Sequence, residues 1–88
     1  MDPKEKSKAG LCLLEAAVLE LVGNHPDGIT PNDVRSELGL FSPNKNGDYK
    51  AVLLWGIENM LAVEGLTETR MVAGRNRIFL IDKTATQN

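Results

Sequence analysis

The residues of this chain that could do chemistry are few and scattered. His25 stands in the turn His25-Pro26-Asp27-Gly28 with no ligand partners at metal-binding spacing, so it reads as structural or solvated. Cys12 is the one cysteine, and it lies among apolar residues, which points to packing. No Ser/His/Asp set or glycine-rich phosphate loop is present, and the carboxylates fall singly on polar faces, so nothing supports an enzyme and no cofactor is expected. What stands out instead is charge. From Arg70 onward there are four basic residues (Arg70, Arg75, Arg77 and Lys83) against one acid, Asp82. From Gly28 to Glu68, six acids (Asp33, Glu37, Asp48, Glu58, Glu64, Glu68) outnumber three bases (Arg35, Lys45, Lys50). A local +3 inside a chain of net charge −2 is the asymmetry an anion-binding face needs.

The elements that position those arginines follow from turn and capping chemistry. A long apolar-striped segment stops at Gly65. Two alternating segments follow, Leu66–Val72 and Arg77–Ile81, with Ala73-Gly74-Arg75-Asn76 between them, which predicts a β-hairpin with an arginine-bearing tip. Upstream, Leu11, Leu14, Val18, Leu21 and Val22 recur at helical spacing. Cys12, Leu13 and Leu19 add apolar surface off that stripe, so this helix is expected to be buried on more than one side. Either it is the central helix of the domain or part of it packs on another chain. It is predicted to begin near Ser7 to Gly10, behind a solvated tail over residues 1–8, and to end at Gly23-Asn24.

A second, short helix is marked by Thr30 as N-cap, Pro31 at the first helical position and Asp33 at the capping-box position. Ile29, Val34 and Leu38 face inward, and Gly39 ends it. Ile29 could also form a one-bridge strand with the hairpin. A polar connection over 40–48 follows, with Phe41 as its apolar anchor. The third helix starts at Ser42-Pro43 or, as we favour, is capped by Asn46 or Asp48, because Gly47 inside a helix would cost about 1 kcal/mol. It runs from about Asp48 to Glu64, with Tyr49, Leu53, Ile57, Met60 and Leu61 as its inner stripe. Val52 and Val63 sit at the edge, and Ala51, Trp55, Glu58 and Ala62 on the opposite side. Gly56 suggests close approach to the first helix. Residues 83–88 are expected to fray.

Eighty-eight residues make one domain with a thin core. The hydrophobic (42%) and charged (25%) fractions argue against wholesale disorder. A lone cysteine suggests a reducing, cytoplasmic setting. No apolar run approaches the roughly 20 residues that span a bilayer, so no membrane partner is expected.

The order helix, turn, helix, loop, helix, hairpin resembles the winged helix-turn-helix superfamily over roughly residues 9–82, an α+β fold with three helices and a C-terminal β-hairpin wing. Gly28-Ile29-Thr30-Pro31-Asn32-Asp33-Val34 and Leu38-Gly39-Leu40 look like the second helix of many such regulators. Glu58-Asn59-Met60-Leu61-Ala62-Val63-Glu64-Gly65-Leu66 looks like a recognition helix entering the first wing strand, and Arg75-Asn76-Arg77-Ile78-Phe79-Leu80 like the wing returning.

The resemblance implies a DNA-binding protein, a transcription regulator, whose third helix enters the major groove of duplex DNA while the wing touches the backbone or minor groove. Carried over, the DNA-binding candidates are Asn44, Lys45, Asn46, Tyr49 and Lys50 around the start of the third helix, then Arg70, Arg75, Asn76 and Arg77 on the wing. Lysine and arginine suit phosphates, and asparagine or arginine can read base edges. Against the resemblance stand the long connection before the third helix, Asp48 where a phosphate would dock, and an outer helix face that is not basic. Those departures open a second expectation, a protein-interaction module with a partner at Trp55, and a third, an accessory domain of a larger nucleic-acid enzyme. A homodimer through the first helix would match two-fold DNA sites.

Overall fold

The structure, a computed structural model, describes residues 2–40 and 49–81, with the side chains of 49–51 left out. It is a small α+β arrangement of three helices and one two-stranded antiparallel hairpin. The helices are α1 (Pro3–Gly23), α2 (Pro31–Glu37) and α3 (Tyr49–Val63), and the strands are β1 (Thr67–Val72) and β2 (Arg75–Leu80).

α1 begins earlier than the sequence pattern suggested. The Asp2 carboxylate accepts a 2.8 Å hydrogen bond from the Glu5 amide, and Pro3 fills the first helical position. The segment expected to be a tail over residues 1–8 is therefore helical from Pro3. Only Val18 and Val22 of this helix are fully buried, with Leu14, Leu19 and Leu21 packed at the core margin. Leu11, Leu13 and Cys12 are exposed, so Cys12 is not a packing residue. The first half of α1 thus reaches past the core. His25 closes its other end, its Nδ1 donating to the Leu21 carbonyl at 2.9 Å.

α2 follows its capping signals. Thr30 Oγ1 accepts from the Asp33 amide at 3.2 Å, Pro31 opens the helix and Val34 is fully buried. Immediately before it, Ile29 exchanges both backbone hydrogen bonds with Ile78, at 3.1 and 2.8 Å. That single bridge ties the α1–α2 turn to the outer edge of β2.

α3 buries Leu54, Ile57, Glu58 and Leu61. Ile57 and Leu61 match the expected stripe, but Leu53 (53% exposed) and Met60 (38%) do not, and Leu54 (0%) takes the inner position. The helix is rotated from the phase its sequence suggested. Gly56 faces open space, with nothing within 4 Å of where a Cβ would stand, so it does not serve close approach to α1. The helix stops in a Schellman motif. Leu66 donates to the Leu61 carbonyl and Gly65, at φ +77°, donates to the Ala62 carbonyl.

The hairpin then turns on two residues, Ala73 (φ 52°) and Gly74 (φ 80°), the two positive φ values of a type I′ turn. Arg75 and Asn76, expected in the tip, are instead the first residues of β2, paired with Val72 and Met71. One core is built on Val18 and Val22 of α1, Ile29, Val34 of α2, Leu54, Ile57 and Leu61 of α3, and Ile78 of β2. The expected anchor Phe41, the caps Asn46 and Asp48, and the C-terminal segment lie outside the described residues.

Candidate functional site

Strand alternation divides the hairpin into two faces of different chemistry. The pairing places Glu68, Arg70, Val72, Arg75, Arg77 and Phe79 on one face, and Thr67, Thr69, Met71, Asn76, Ile78 and Leu80 on the other. Three of the four hairpin residues expected to bind DNA, Arg70, Arg75 and Arg77, are therefore brought together, while Asn76 is turned away from them.

The basic face lies against the α1–α2 turn. Phe79 is buried there, close enough to Gly28 that a Cβ on Gly28 would stand 2.5 Å from the ring. Arg70 stacks on that ring with its guanidinium carbon 3.8 Å from the centroid, and its Nε meets Glu68 Oε1 at 3.2 Å. Arg77, half-buried, donates from one terminal nitrogen toward the carbonyls of Asp27 and Gly28 at 3.4 and 3.5 Å, and its Nε is buried without a partner among the described residues. Arg75 is exposed beside the turn. Arg70 and Arg77 are direct cross-strand partners. Like charges so placed repel unless something negative lies between or above them.

The neutral face looks at α3. Together with the start of α2 they enclose a groove of about 240 Å³ that includes Trp55, Glu58, Asn59, Thr69 and Asn76. Trp55 is 62% exposed at its rim, whereas Glu58 is only 9% exposed. Glu58 was expected on the outer face beside Trp55 and Ala62. The rotation of α3 carries it under the hairpin instead. Its Oε2 is buried and has no hydrogen-bond partner among the described residues. Burial pushes the carboxyl up to about 7, against the pull of the nearby Arg35 guanidinium. The signal for this was in the spacing. Glu58 stands four residues after Leu54 and three before Leu61, so a stripe drawn through those leucines includes it.

Of the remaining expected contacts, Tyr49 and Lys50 open α3, and Asn44, Lys45 and Asn46 lie outside the described residues. Among the described residues no group of three or more His, Cys, Asp or Glu lies close enough to hold a metal ion. No described helix is long and apolar enough to cross a membrane. Comparison with family models, with curated proteins and with solved structures returns no match for this chain.

Proposed function

We propose that this chain is a winged-helix protein that binds duplex DNA as a transcription regulator, with the start of α3 and the hairpin as its contact elements. The observation that carries this reading is the arginine row. Arg70, Arg75 and Arg77 share one hairpin face, and no acid lies between Arg70 and Ile81. A cross-strand arginine pair is costly alone and favourable beneath a phosphate backbone. The single bridge from Ile29 to Ile78 also supports the reading, because it gives the hairpin the third, minimal strand that a winged helix has.

Arg75 is the arginine to test, since Arg70 and Arg77 also hold contacts within the protein. Fluorescence anisotropy with a labelled duplex should show binding that weakens with salt. Arg75→Ala should lower affinity across sequences and reduce the salt slope by about 1. Absence of binding at low salt, or an Arg75→Ala slope equal to wild type, would sink the reading.

A second reading has its own observation. α3 exposes Val52, Leu53, Trp55, Met60 and Val63, the last at 88%. An apolar surface of this kind suits a protein-interaction module, or an accessory domain packed on a larger nucleic-acid enzyme. A partner released by Trp55→Ala, with DNA affinity near zero at all salt concentrations, would favour it. Homodimerisation through the exposed Leu11 and Leu13 of α1 belongs to the first reading, and sedimentation equilibrium would test it.

A further inference from the structure

We infer that the outward face of α3 is an interface between two copies of this chain, packed as an antiparallel two-fold pair of helices. Such a pair needs no DNA, since Arg70, Arg75 and Arg77 lie on the hairpin face turned away from α3. It stands independently of the arginine row and gives the exposed α3 face a definite occupant.

α3 is apolar on both sides. Its inner side buries Leu54, Ile57 and Leu61, yet Val52, Leu53, Trp55 and Val63 all stand more than half exposed. A helix apolar all round belongs between two apolar surfaces, and the core of this chain supplies one of them. Between Lys50 and Glu64 the one charged residue is Glu58, which is buried. A face without charge offers nothing for a charged partner to recognise and nothing that repels its own copy. With Met60, these side chains present on the order of 500 Å² per copy. Two copies together then bury about 1,000 Å², the size at which a specific interface begins. α1 offers no comparable surface, because its exposed Leu11 and Leu13 are two positions apart and so point to different sides.

The order of the residues fits a two-fold axis. Val52, Gly56, Asn59 and Val63 follow one another in steps of four, three and four, a straight stripe on the outer side of the helix whose spacing is the same from either end. Turned about an axis midway along it, the stripe sets Val52 on Val63 of the second copy and Gly56 beneath Asn59 of the second copy. Nothing lies within 4 Å of where a Gly56 Cβ would stand, so the two helices can approach closely there. The flanks match as well. Leu53 of the second copy comes over the depression of about 270 Å³ that Asn59, Met60, Val63 and Glu64 line, and Trp55 of the second copy comes beside the small Ala62. A parallel pair would set Gly56 on Gly56 and leave a void instead.

Sedimentation equilibrium of the whole chain, run without DNA, tests this. Wild type is expected to dimerise with a Kd of about 10 μM, weak because the interface is small. Val63→Glu or Val52→Lys each brings a charge into the apolar contact and lowers the affinity at least about ten-fold. The double variant Val52→Lys/Val63→Glu regains affinity over either single one, because each lysine then meets a glutamate across the axis. Leu13→Glu on α1 leaves the dimer unchanged. Val52 and Val63 are exposed in the single chain, and circular dichroism like that of wild type shows that a lost dimer is not a lost fold. A wild-type chain still monomeric at about 500 μM overturns the inference and leaves the face to a different protein. A dimer that survives Val63→Glu and Val52→Lys also overturns it, and its loss in Leu13→Glu would place the contact on α1. A double variant no tighter than the single ones overturns the antiparallel pairing.

Discussion

The two faces of the hairpin are built from the same twelve positions and do opposite things. One gathers three arginines over a tight anchor, where Phe79 fills the space left by Gly28 and Arg77 reaches the carbonyls of the turn. The other carries no charge, and its partner α3 brings in an acid that has lost its water. Arg70 and Arg75 keep their charge in water, which is cheap, while Arg77 is the half-buried member of the row, with an Nε that has no partner among the described residues. Charge that is buried is costly, so the neutral face holds one group and shifts its proton affinity. A two-stranded sheet keeps these environments apart by alternation alone.

The anchor of the basic face offers the largest effect. Gly28 has φ +89°, and a Cβ there would lie 2.5 Å from Phe79 Cζ and 2.8 Å from Arg77 Cβ. Left-handed backbone strain and overpacking add in this case, because the neighbours are a buried ring and a strand backbone rather than a flexible tip. We predict that Gly28→Ala loses about 3 kcal/mol of stability in urea unfolding. A loss below about 1 kcal/mol would mean that the basic face is not held by this contact.

The acid on the other side gives a smaller effect with a distinctive pH course. The folded pKa is raised from 4.5 to about 7, so between those values the folded state binds the proton that the unfolded state releases. Stability therefore falls as pH rises from 4.5 to 7, and the full penalty is present above 7. We predict that Glu58→Gln is more stable than wild type by about 2 kcal/mol at pH 8, less than the full shift because the amide also lacks a partner. The difference should shrink toward zero below pH 4.5. Thermal melts across pH 4 to 8 check this, and a gap that does not depend on pH would show that Glu58 is not desolvated.

The turn between the faces comes next. Ala73 occupies φ 52°, a region an alanine adopts at a cost. Asparagine tolerates it and pairs with Gly74 in the preferred type I′ sequence. We predict that Ala73→Asn gains about 0.5–1 kcal/mol without altering either face. Destabilisation in chemical unfolding would contradict the assigned turn.

What could be read from the sequence divides along physical lines. Local chemistry was legible. Thr30, Pro31 and Asp33 mark the start of α2, Gly65 marks the end of α3, and Ile29 reaches β2 as expected. These signals depend on one residue and its immediate neighbours. The phase of α3 was not legible, because apolar residues occupy nearly every side of it and periodicity then has no preferred direction. That ambiguity hid the burial of Glu58, and with it the groove. The start of α1 was missed because Asp2 and Pro3 lie beside a run of charges that resembles a tail. The extent of the turn was missed because alanine is an unusual occupant of positive φ, so the tip was drawn two residues too long. The arginines were visible as charge, but their separation from Asn76 depends on register, which the misplaced turn obscured.

The smallest stability effect asks the sharpest question of the comparison. Glu68 is the one acid on the basic face, paired with Arg70 at 3.2 Å, with both side chains about half exposed. Such a pair contributes little, and Arg70 keeps its place over Phe79 without it. We predict that Glu68→Gln changes stability by less than about 0.5 kcal/mol. It nevertheless changes the charge of the face from net +2 to net +3, counting Arg70, Arg75 and Arg77 against Glu68. Duplex DNA should therefore bind more tightly to this variant at low salt, with the advantage fading as salt rises. Stability and affinity move independently here, so the two measurements separate a folding role from a binding one. If the variant is as stable as wild type and its DNA affinity is unchanged at low salt, the arginine row is not where a phosphate backbone sits. The exposed apolar face of α3 would then be the surface that remains to explain the fold.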